Sequence, residues 1–304
     1  MLDKRFDPQK FIDREFEQEL FEELLQLKDQ ARILAIRDEG GMGKSQLLQK
    51  FQYRCRTAGR PRIPVGLVDL KQLPDPSPLG LVQQIEKELT AFLKFPTFTQ
   101  LETARRAYDF TTIRGAVDLR SANLHQAEMR VAGVMTNVAQ AELITVNTAT
   151  ITAFTPDQQA TARDLCVQAF LDDLMAHCRQ QLVVILLDSF EYCQGDLQAW
   201  LLDYFLEPHC FDLARRPANL LVVLAGRELP NFEQHWSLDE CAQLVKSVRA
   251  LGKWQATHVE ECLRVHGFRY TERQLKLFCE MVEMGSPPSL VVETMRSILP
   301  MRDK

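Results

Sequence analysis

Residues 32–48 read RILAIRDEGGMGKSQLL, and this stretch decides the fold. It opens with an apolar run at 33–36, which has the length of a buried strand. Gly40, Gly41 and Gly43 follow, and residues 44–56 then place apolar side chains on one helical face. The predicted order is therefore a strand, a glycine-rich loop and a helix.

The loop has the pattern of a phosphate-binding loop (P-loop). Residues 38–45, DEGGMGKS, match GxxxxGK[ST] except that Asp38 replaces the first glycine. Successive glycines let backbone N–H groups turn toward a phosphate, Lys44 supplies a cation, and the Ser45 hydroxyl suits Mg²⁺. The predicted nucleotide-binding residues here are Gly40, Gly41, Met42, Gly43, Lys44, Ser45 and Gln46. A glycine turn without a ligand is the alternative, and Asp38 would repel phosphates unless it points away.

Strands and helices alternate along the rest of the chain. Further apolar runs of strand length lie at 62–70, 182–187, 220–225 and 245–251. Segments with helical periodicity or a helix start lie at 13–27, 79–93, 155–174, 197–213 and from 254 onward. This alternation predicts an α/β fold, a P-loop NTPase with a five-stranded, mainly parallel sheet flanked by helices and a small helical lid.

Polar side chains directly follow two of the apolar runs. Asp188 and Glu191 belong to the sequence DSFE, and Arg227 belongs to GRE. Ligands bind at the carboxyl ends of parallel strands, so we expect Asp188 to hold Mg²⁺ together with Ser45. Glu191 would orient an attacking water and Arg227 would sense a γ-phosphate. The alternatives are a turn residue, a solvated carboxylate and a surface arginine, respectively.

Residues 111–154 interrupt the pattern and predict a short β-rich insert. Between 116 and 135 small apolar residues recur every five positions, and each is followed two places later by a larger one. This spacing resembles a pentapeptide-repeat β-helix, although it amounts to about one coil. An inserted loop or hairpin with accidental spacing is the alternative, because a lone coil cannot bury its own face.

Composition restricts the class of partner. A net charge of -5 lacks the broad positive field of a nucleic-acid-binding protein, so nucleic acid is an unlikely partner. The eight cysteines are scattered singly without a CxxC pair, which predicts reduced thiols in a cytoplasmic protein. The chain shows no signal-peptide pattern and no apolar run near the roughly 20 residues of a membrane span. No membrane partner is expected.

The motifs GGMGKS, LVVILLDSFE and LLVVLAGRE, in this order, resemble the nucleotide-binding module of STAND ATPases, which are signal transduction ATPases of the NACHT and NB-ARC type. These are relatives of AAA+ and origin-recognition ATPases. FIDRE at 11–15 resembles the family's F-[VI]-x-R-E motif near the adenine, with Asp13 where Gly is usual. GSPPSL at 285–290 resembles the G-x-P lid motif. The resemblance implies Arg14 and Pro287 as nucleotide ligands.

The resemblance also implies an organisation and a function. An N-terminal segment occupies 1–30, the ATPase core 31–235 and the last strand with a helical lid 236–304. ADP would hold a closed form, and ATP would open it and promote self-assembly, with slow Mg²⁺-dependent hydrolysis by Lys44, Glu191 and Arg227. Family members usually carry an effector and sensor repeats, so this chain would be a fragment or a compact member acting through protein partners. An AAA+-like remodelling or DNA-loading motor and a non-hydrolysing scaffold stay open.

Overall fold

The computed structural model describes residues 6–27, 32–57, 62–92, 95–116, 156–206 and 219–300. The chain folds into two compact units. The larger unit consists of Met1–Thr97 and Leu174–Lys304, and the smaller unit is Phe98–Asp173. The pentapeptide-like spacing and the β-rich character predicted for 111–154 lie outside the described residues from 117 onward. Residues 111–116 continue a helix.

The larger unit contains a five-stranded sheet whose neighbouring strands are all parallel. The strands are β1 Arg32–Arg37, β2 Val65–Asp69, β3 Val183–Asp188, β4 Leu220–Gly226 and β5 Val245–Val248. Their order in the sheet is β2-β3-β4-β1-β5. This confirms the predicted five-stranded parallel α/β fold.

The strand register places the polar residues at the carboxyl ends of the strands side by side, at one end of the sheet. Asp188 of β3 lies opposite Asp69 of β2, and Arg37 of β1 lies opposite Gly226 of β4. The loops that follow β1, β3 and β4 therefore leave the sheet side by side. Ligands of open parallel sheets bind at this carboxyl end of the strands.

Burial explains why the central strands are continuous apolar runs. Every residue of β3 and β4 is buried, since helices cover both faces of the sheet. The edge strand β5 exposes Lys246 and Ser247. Only the central positions require apolar residues on both faces.

Helices follow the strands and pack on the sheet. Those of the core are α1 Glu15–Gln26, α2 Lys44–Thr57, α3 Pro78–Thr90, α6 Asp196–Trp200 with a π-helical turn Leu201–Leu206, and α7 Leu238–Leu244. Phe21 of α1 stacks on Phe51 of α2 with ring centroids 4.0 Å apart. Because this pair belongs to the main hydrophobic cluster, it fixes the helix that begins at Lys44.

Three helices after β5 form the lid: α8 Ala256–His266, α9 Glu272–Glu283 and α10 Pro288–Ile298. They enclose a hydrophobic cluster of their own, which includes Leu263, Phe278 and Met295. Ile12 from the N-terminal segment joins this cluster. The helical character predicted for the chain from 254 onward is confirmed.

The smaller unit contains α4 Thr99–Ala116 and most of α5 Pro156–Cys178. Phe98 stacks on Phe170 with centroids 5.2 Å apart, and the backbone N–H of Leu101 donates to Asp173 Oδ2 at 3.0 Å. The sequence analysis did not predict α4, because its mixed Thr, Arg and Ala sequence lacks a clear apolar stripe. Among the helices in the described ranges, none combines the length and hydropathy needed to cross a bilayer.

Candidate functional site

A cavity of about 570 Å³ opens at the carboxyl ends of β1, β3 and β4. The glycine loop with the start of α2 forms one wall, the residues after β3 and β4 form another, and the lid helix α10 forms a third. All the elements that build these walls belong to the larger unit. Parallel topology therefore gathers side chains that are far apart in sequence.

The glycine loop has the backbone that its sequence predicts. Gly41 and Gly43 have φ values of 83° and 93°, in the left-handed region that favours glycine. Lys44 is 9% exposed, and its Nζ donates to the carbonyls of Asp38 at 2.6 Å and Glu39 at 2.7 Å. The ammonium group is thus held over its own loop, within reach of an anion in the cavity.

The charge of Lys44 is balanced by its surroundings. Burial lowers the pKa of the Lys44 ammonium, whereas the carboxylates of Asp38, Glu191 and Asp188 act in the opposite direction. A buried cation facing a polar cavity is a suitable partner for phosphate oxygens. The role of Lys44 as a phosphate ligand stays a prediction.

Asp188 and Ser45, which the sequence analysis predicts as metal ligands, lie together in the cavity wall. Asp188 is 8% exposed at the end of β3, and its carboxylate accepts hydrogen bonds from the Ser45 hydroxyl and, at 2.8 Å, from the backbone N–H of Ser189. Burial raises the pKa of this carboxyl, which the two hydrogen bonds counteract. A cation bound here would offset the cost of burying the charged carboxylate.

The donor set fits magnesium only together with other ligands. Among the described residues, no three His, Cys, Asp or Glu side chains gather as a metal site. Mg²⁺ in proteins is commonly held by one or two side-chain oxygens completed by water and phosphate oxygens. Ser45 and Asp188 would supply that number of ligands.

Glu191 and Arg227 meet across the cavity wall. Glu191 Oε2 accepts from the backbone N–H of Arg227 at 2.9 Å, and Oε1 lies 3.7 Å from Arg227 Nε. Arg227 is 66% exposed, and its Nη2 would lie 2.6 Å from a Cβ placed on Gly40. The guanidinium group therefore covers the glycine loop, and the carboxylate that was predicted to orient water is held by the arginine.

Asp38 uses both carboxylate oxygens for backbone contacts. Its Oδ1 accepts from the backbone N–H of Glu39 at 2.7 Å, and its Oδ2 accepts from the backbone N–H of Leu251 at 2.8 Å. The carboxylate thus binds the chain after β5. Both carboxylate oxygens of Asp38 therefore have backbone donors, while its charge also acts on Lys44.

Arg14 lies behind the loop wall. It is 4% exposed, its Nη2 donates to the carbonyl of Met42 at 2.9 Å, and its Nη1 donates to the carbonyl of Gly252 and to Asp13 Oδ2. The structure brings Arg14 to the glycine loop, although neither its side chain nor that of Met42 lines the cavity. Arg14 supports the backbone of the loop.

The lid contacts the glycine loop directly. The backbone N–H of Ser289, in the first turn of α10, donates to the carbonyl of Gly41 at 3.1 Å. Pro287 lies beside Gly41, where a built Cβ would be 3.3 Å from the proline Cβ. The neighbouring Pro288 lines the cavity, together with Ser289. Pro287, which was predicted as a nucleotide ligand, is thus adjacent to the cavity-lining Pro288 but does not line the cavity itself.

Several cavity residues were missed by the sequence analysis. Lys71 and Tyr192 line the core side, with Lys71 Nζ 5.6 Å from the Tyr192 ring centroid. Trp254 and Arg296 line the lid side. No motif marks these residues; only the position of Lys71 just after a strand end gave a signal.

A second cavity of about 290 Å³ shares walls with the first. Its lining includes apolar residues of the N-terminal segment, Phe6, Phe11 and Ile12, and Cys262 of α8. Trp254 and Arg296 line both cavities. The two cavities together offer a polar end near Lys44 and an apolar end near FIDRE.

Known structures share this fold. A Walker-type ATPase of Pyrococcus abyssi is similar over 96% of this chain and 69% of its own, with 17% sequence identity and a TM-score of 0.53. Cdc6p of Pyrobaculum aerophilum is similar over 97% of this chain and 62% of its own, with 12% identity and a TM-score of 0.50. No protein-family model and no curated protein sequence matches the chain. The fold is therefore that of P-loop ATPases.

Proposed function

We propose that the chain binds ATP and ADP and acts as a nucleotide-dependent conformational and assembly switch with slow hydrolysis. The observation that carries the proposal is the hydrogen bond from Ser289 N–H to the Gly41 carbonyl, which joins the lid to the phosphate loop. A nucleotide bound in this cavity would meet core and lid at once. Its third phosphate is therefore placed to change how the two contact each other.

Phosphate binding is supported by the loop and by Lys44. Backbone N–H groups of a glycine loop at a helix N-terminus bind anions because the helix dipole and the free donors act together. Lys44 would exchange its bonds to the Asp38 and Glu39 carbonyls for bonds to phosphate oxygens. The apolar second cavity would receive the base, near the FIDRE segment.

Ser45 and Asp188 would hold Mg²⁺. The ion would neutralise charge on the outer phosphates. Ser45 lies at the start of α2 and Asp188 at the end of β3, so two fixed elements place these oxygens. The Ser45 hydroxyl lies close enough to Asp188 to lower the pKa of its carboxyl, and both residues line the same cavity.

Slow hydrolysis is supported by the bonds of Glu191. A general base must be free to accept a proton from water. Here the carboxylate accepts from Arg227 N–H and pairs with its guanidinium. Glu191 must leave Arg227, or share it with the γ-phosphate, before it can orient water.

The proposal extends to partners and compartment. We expect the ATP-bound chain to self-assemble or to engage protein partners through surfaces that the closed lid covers. The free cysteines Cys55, Cys178, Cys193 and Cys262 are buried, which fits a reducing, cytoplasmic environment. Nucleic acid is not part of the proposal because of the net charge of -5.

Calorimetry with ADP and ATP in the presence of Mg²⁺ tests the proposal. Lys44→Ala removes a charged donor, so affinity should fall by about 10- to 100-fold. Lys87→Ala on the exposed face of α3 is the control and should bind as the wild type does.

Phosphate release, measured on the same samples, should be slow. Rapid release would favour a remodelling or DNA-loading motor. Tight nucleotide binding without any phosphate release would favour a non-hydrolysing scaffold. No binding of either nucleotide at millimolar concentration would contradict the proposal.

A further inference from the structure

Asp38 stands where the P-loop pattern has glycine, and its carboxylate serves another contact. Oδ2 accepts from the backbone N–H of Leu251 at 2.8 Å, although the two residues are 213 positions apart. Oδ1 accepts from Glu39 N–H at 2.7 Å and so fixes the side chain relative to the loop. One carboxylate therefore joins the first residue of the loop to the segment that leads into the lid.

Arg14 makes a parallel connection from the other side. Its guanidinium donates to the carbonyl of Met42, in the middle of the loop, and to the carbonyl of Gly252. Asp13 and Arg14 have φ values of 68° and 80°, which are unfavourable for residues other than glycine. Such strain persists where surrounding bonds fix the backbone. The segment is thus held in a shape that aims Arg14 at both carbonyls.

We propose that Asp38 and Arg14 form a bracket, defined as their bonds to Leu251 N–H, Gly252 O and Met42 O, that couples the phosphate loop to the lid. Both are positioning residues, and the inference rests on the proposed nucleotide switch. Trp254, two residues beyond Gly252, lines both cavities. A displacement of Met42 by a bound phosphate is therefore passed to the base of the lid.

The bonds of the bracket are suited to this task. Each has one ionised partner, and such bonds are stronger and shorter than neutral ones. The three partner atoms, Leu251 N, Gly252 O and Met42 O, all belong to the backbone. The bracket therefore connects the backbone of the loop with the backbone of residues 251–252. Since Arg14 is buried, water does not readily replace its bonds.

Residue-resolved hydrogen exchange on the full chain tests the bracket. Asp38→Ala removes the acceptor for Leu251 N–H, so this amide should exchange about tenfold or more faster in nucleotide-free protein. Asp38→Asn keeps one acceptor oxygen, which can serve Leu251 N–H or Glu39 N–H but not both, so it should restore only part of the protection. The control is Asp75→Ala, whose carboxylate accepts from Ser77 in an exposed loop before α3 and which should leave Leu251 unchanged.

Addition of ADP then tests the coupling. In the wild type, ADP should protect the amides of 40–46 and of 251–255 together. In Asp38→Ala, where Arg14 still joins Met42 O to Gly252 O, ADP should protect 40–46 as before and 251–255 less than in the wild type. Equal protection of 251–255 in both proteins, or wild-type exchange of Leu251 in Asp38→Ala, would overturn the bracket.

Two further outcomes are separable. If ADP protects no loop amide in the wild type, the proposed nucleotide binding fails, while the nucleotide-free rates still decide whether the bracket exists. If Asp38→Ala does not fold, Arg14→Lys takes its place, because an ammonium group cannot reproduce the planar fork that serves two carbonyls. Faster exchange at 251–255 in Arg14→Lys supports the bracket, and wild-type exchange overturns it.

Discussion

The sheet with its flanking helices, called the core, and the lid contribute to the same cavity in different ways. The core cluster joins the sheet to α1 and α2, whereas the lid cluster joins α8, α9 and α10 with Ile12. Between the two clusters lie polar contacts, which include the hydrogen bond from Ser289 N–H to Gly41 O and the bracket of Asp38 and Arg14. The proposed switch requires the lid to shift as a body together with Ile12, and such a shift would open neither apolar cluster.

This difference separates chemistry from regulation. Asp188, Glu191 and Lys44 lie on the core and would act on phosphates, whereas Ser289 and Trp254 belong to the lid and its linker and would respond to them. Substitutions in the core should change turnover or metal binding without altering lid contacts. Substitutions at the junction should do the reverse.

The largest expected effect is on hydrolysis. Glu191→Gln keeps an oxygen that can accept from Arg227 N–H but removes the basic carboxylate, so phosphate release should slow by about 100-fold. The affinity for ATP should stay within about twofold. Glu228→Gln, an exposed neighbour of Arg227, is the control. Unchanged turnover in Glu191→Gln would show that this carboxylate is not the base.

A smaller effect is expected at the junction. Alanine at Gly41 would bring a Cβ against the Ser289 hydroxyl, whereas at Gly43 a Cβ meets no atom within 4 Å. Both positions have positive φ, so the backbone strain is matched. The Ser289 amide should exchange about two- to tenfold faster in Gly41→Ala, as for the loss of one neutral hydrogen bond. Gly43→Ala should leave it unchanged, and equal effects in the two variants would mean that strain alone moves the lid.

Several cavity residues of the core could be predicted from sequence, whereas the contacts between the core and the lid could not. Asp188 and Arg227 were found from sequence because each directly follows an apolar run that can be recognised locally. The bonds of Asp38 and Arg14 were not, because they join residues separated by 213 and 238 positions. The insertion of β1 between β4 and β5 is likewise set by long-range packing and not by local pattern. The edge position of β5 follows from that order.

The smallest expected effect is on stability. Burial raises the pKa of Asp188 in the folded chain, so the folded state binds its proton more tightly than the unfolded state does. Stability should therefore fall as pH rises from 3.8, the ordinary value, through the raised value. Asp188→Asn should remove that slope and, without ligand, raise Tm at neutral pH by about 2 °C.

The same variant should lose the extra thermal stability that Mg²⁺ with ADP gives the wild type. Asp196→Asn, an exposed carboxylate at the start of α6, is the control for a change of charge. A lower Tm for Asp188→Asn in ligand-free protein would mean that the carboxylate stabilises the fold.

The most direct test of the switch is exchange of the Ser289 amide with ADP and with a non-hydrolysable ATP analogue, each with Mg²⁺. This amide donates to Gly41 O, so it reports the contact between lid and phosphate loop. We predict slow exchange with ADP and faster exchange with the analogue, while the amides of 40–46 are protected by both. Equal protection of Ser289 by the two nucleotides would contradict the switch.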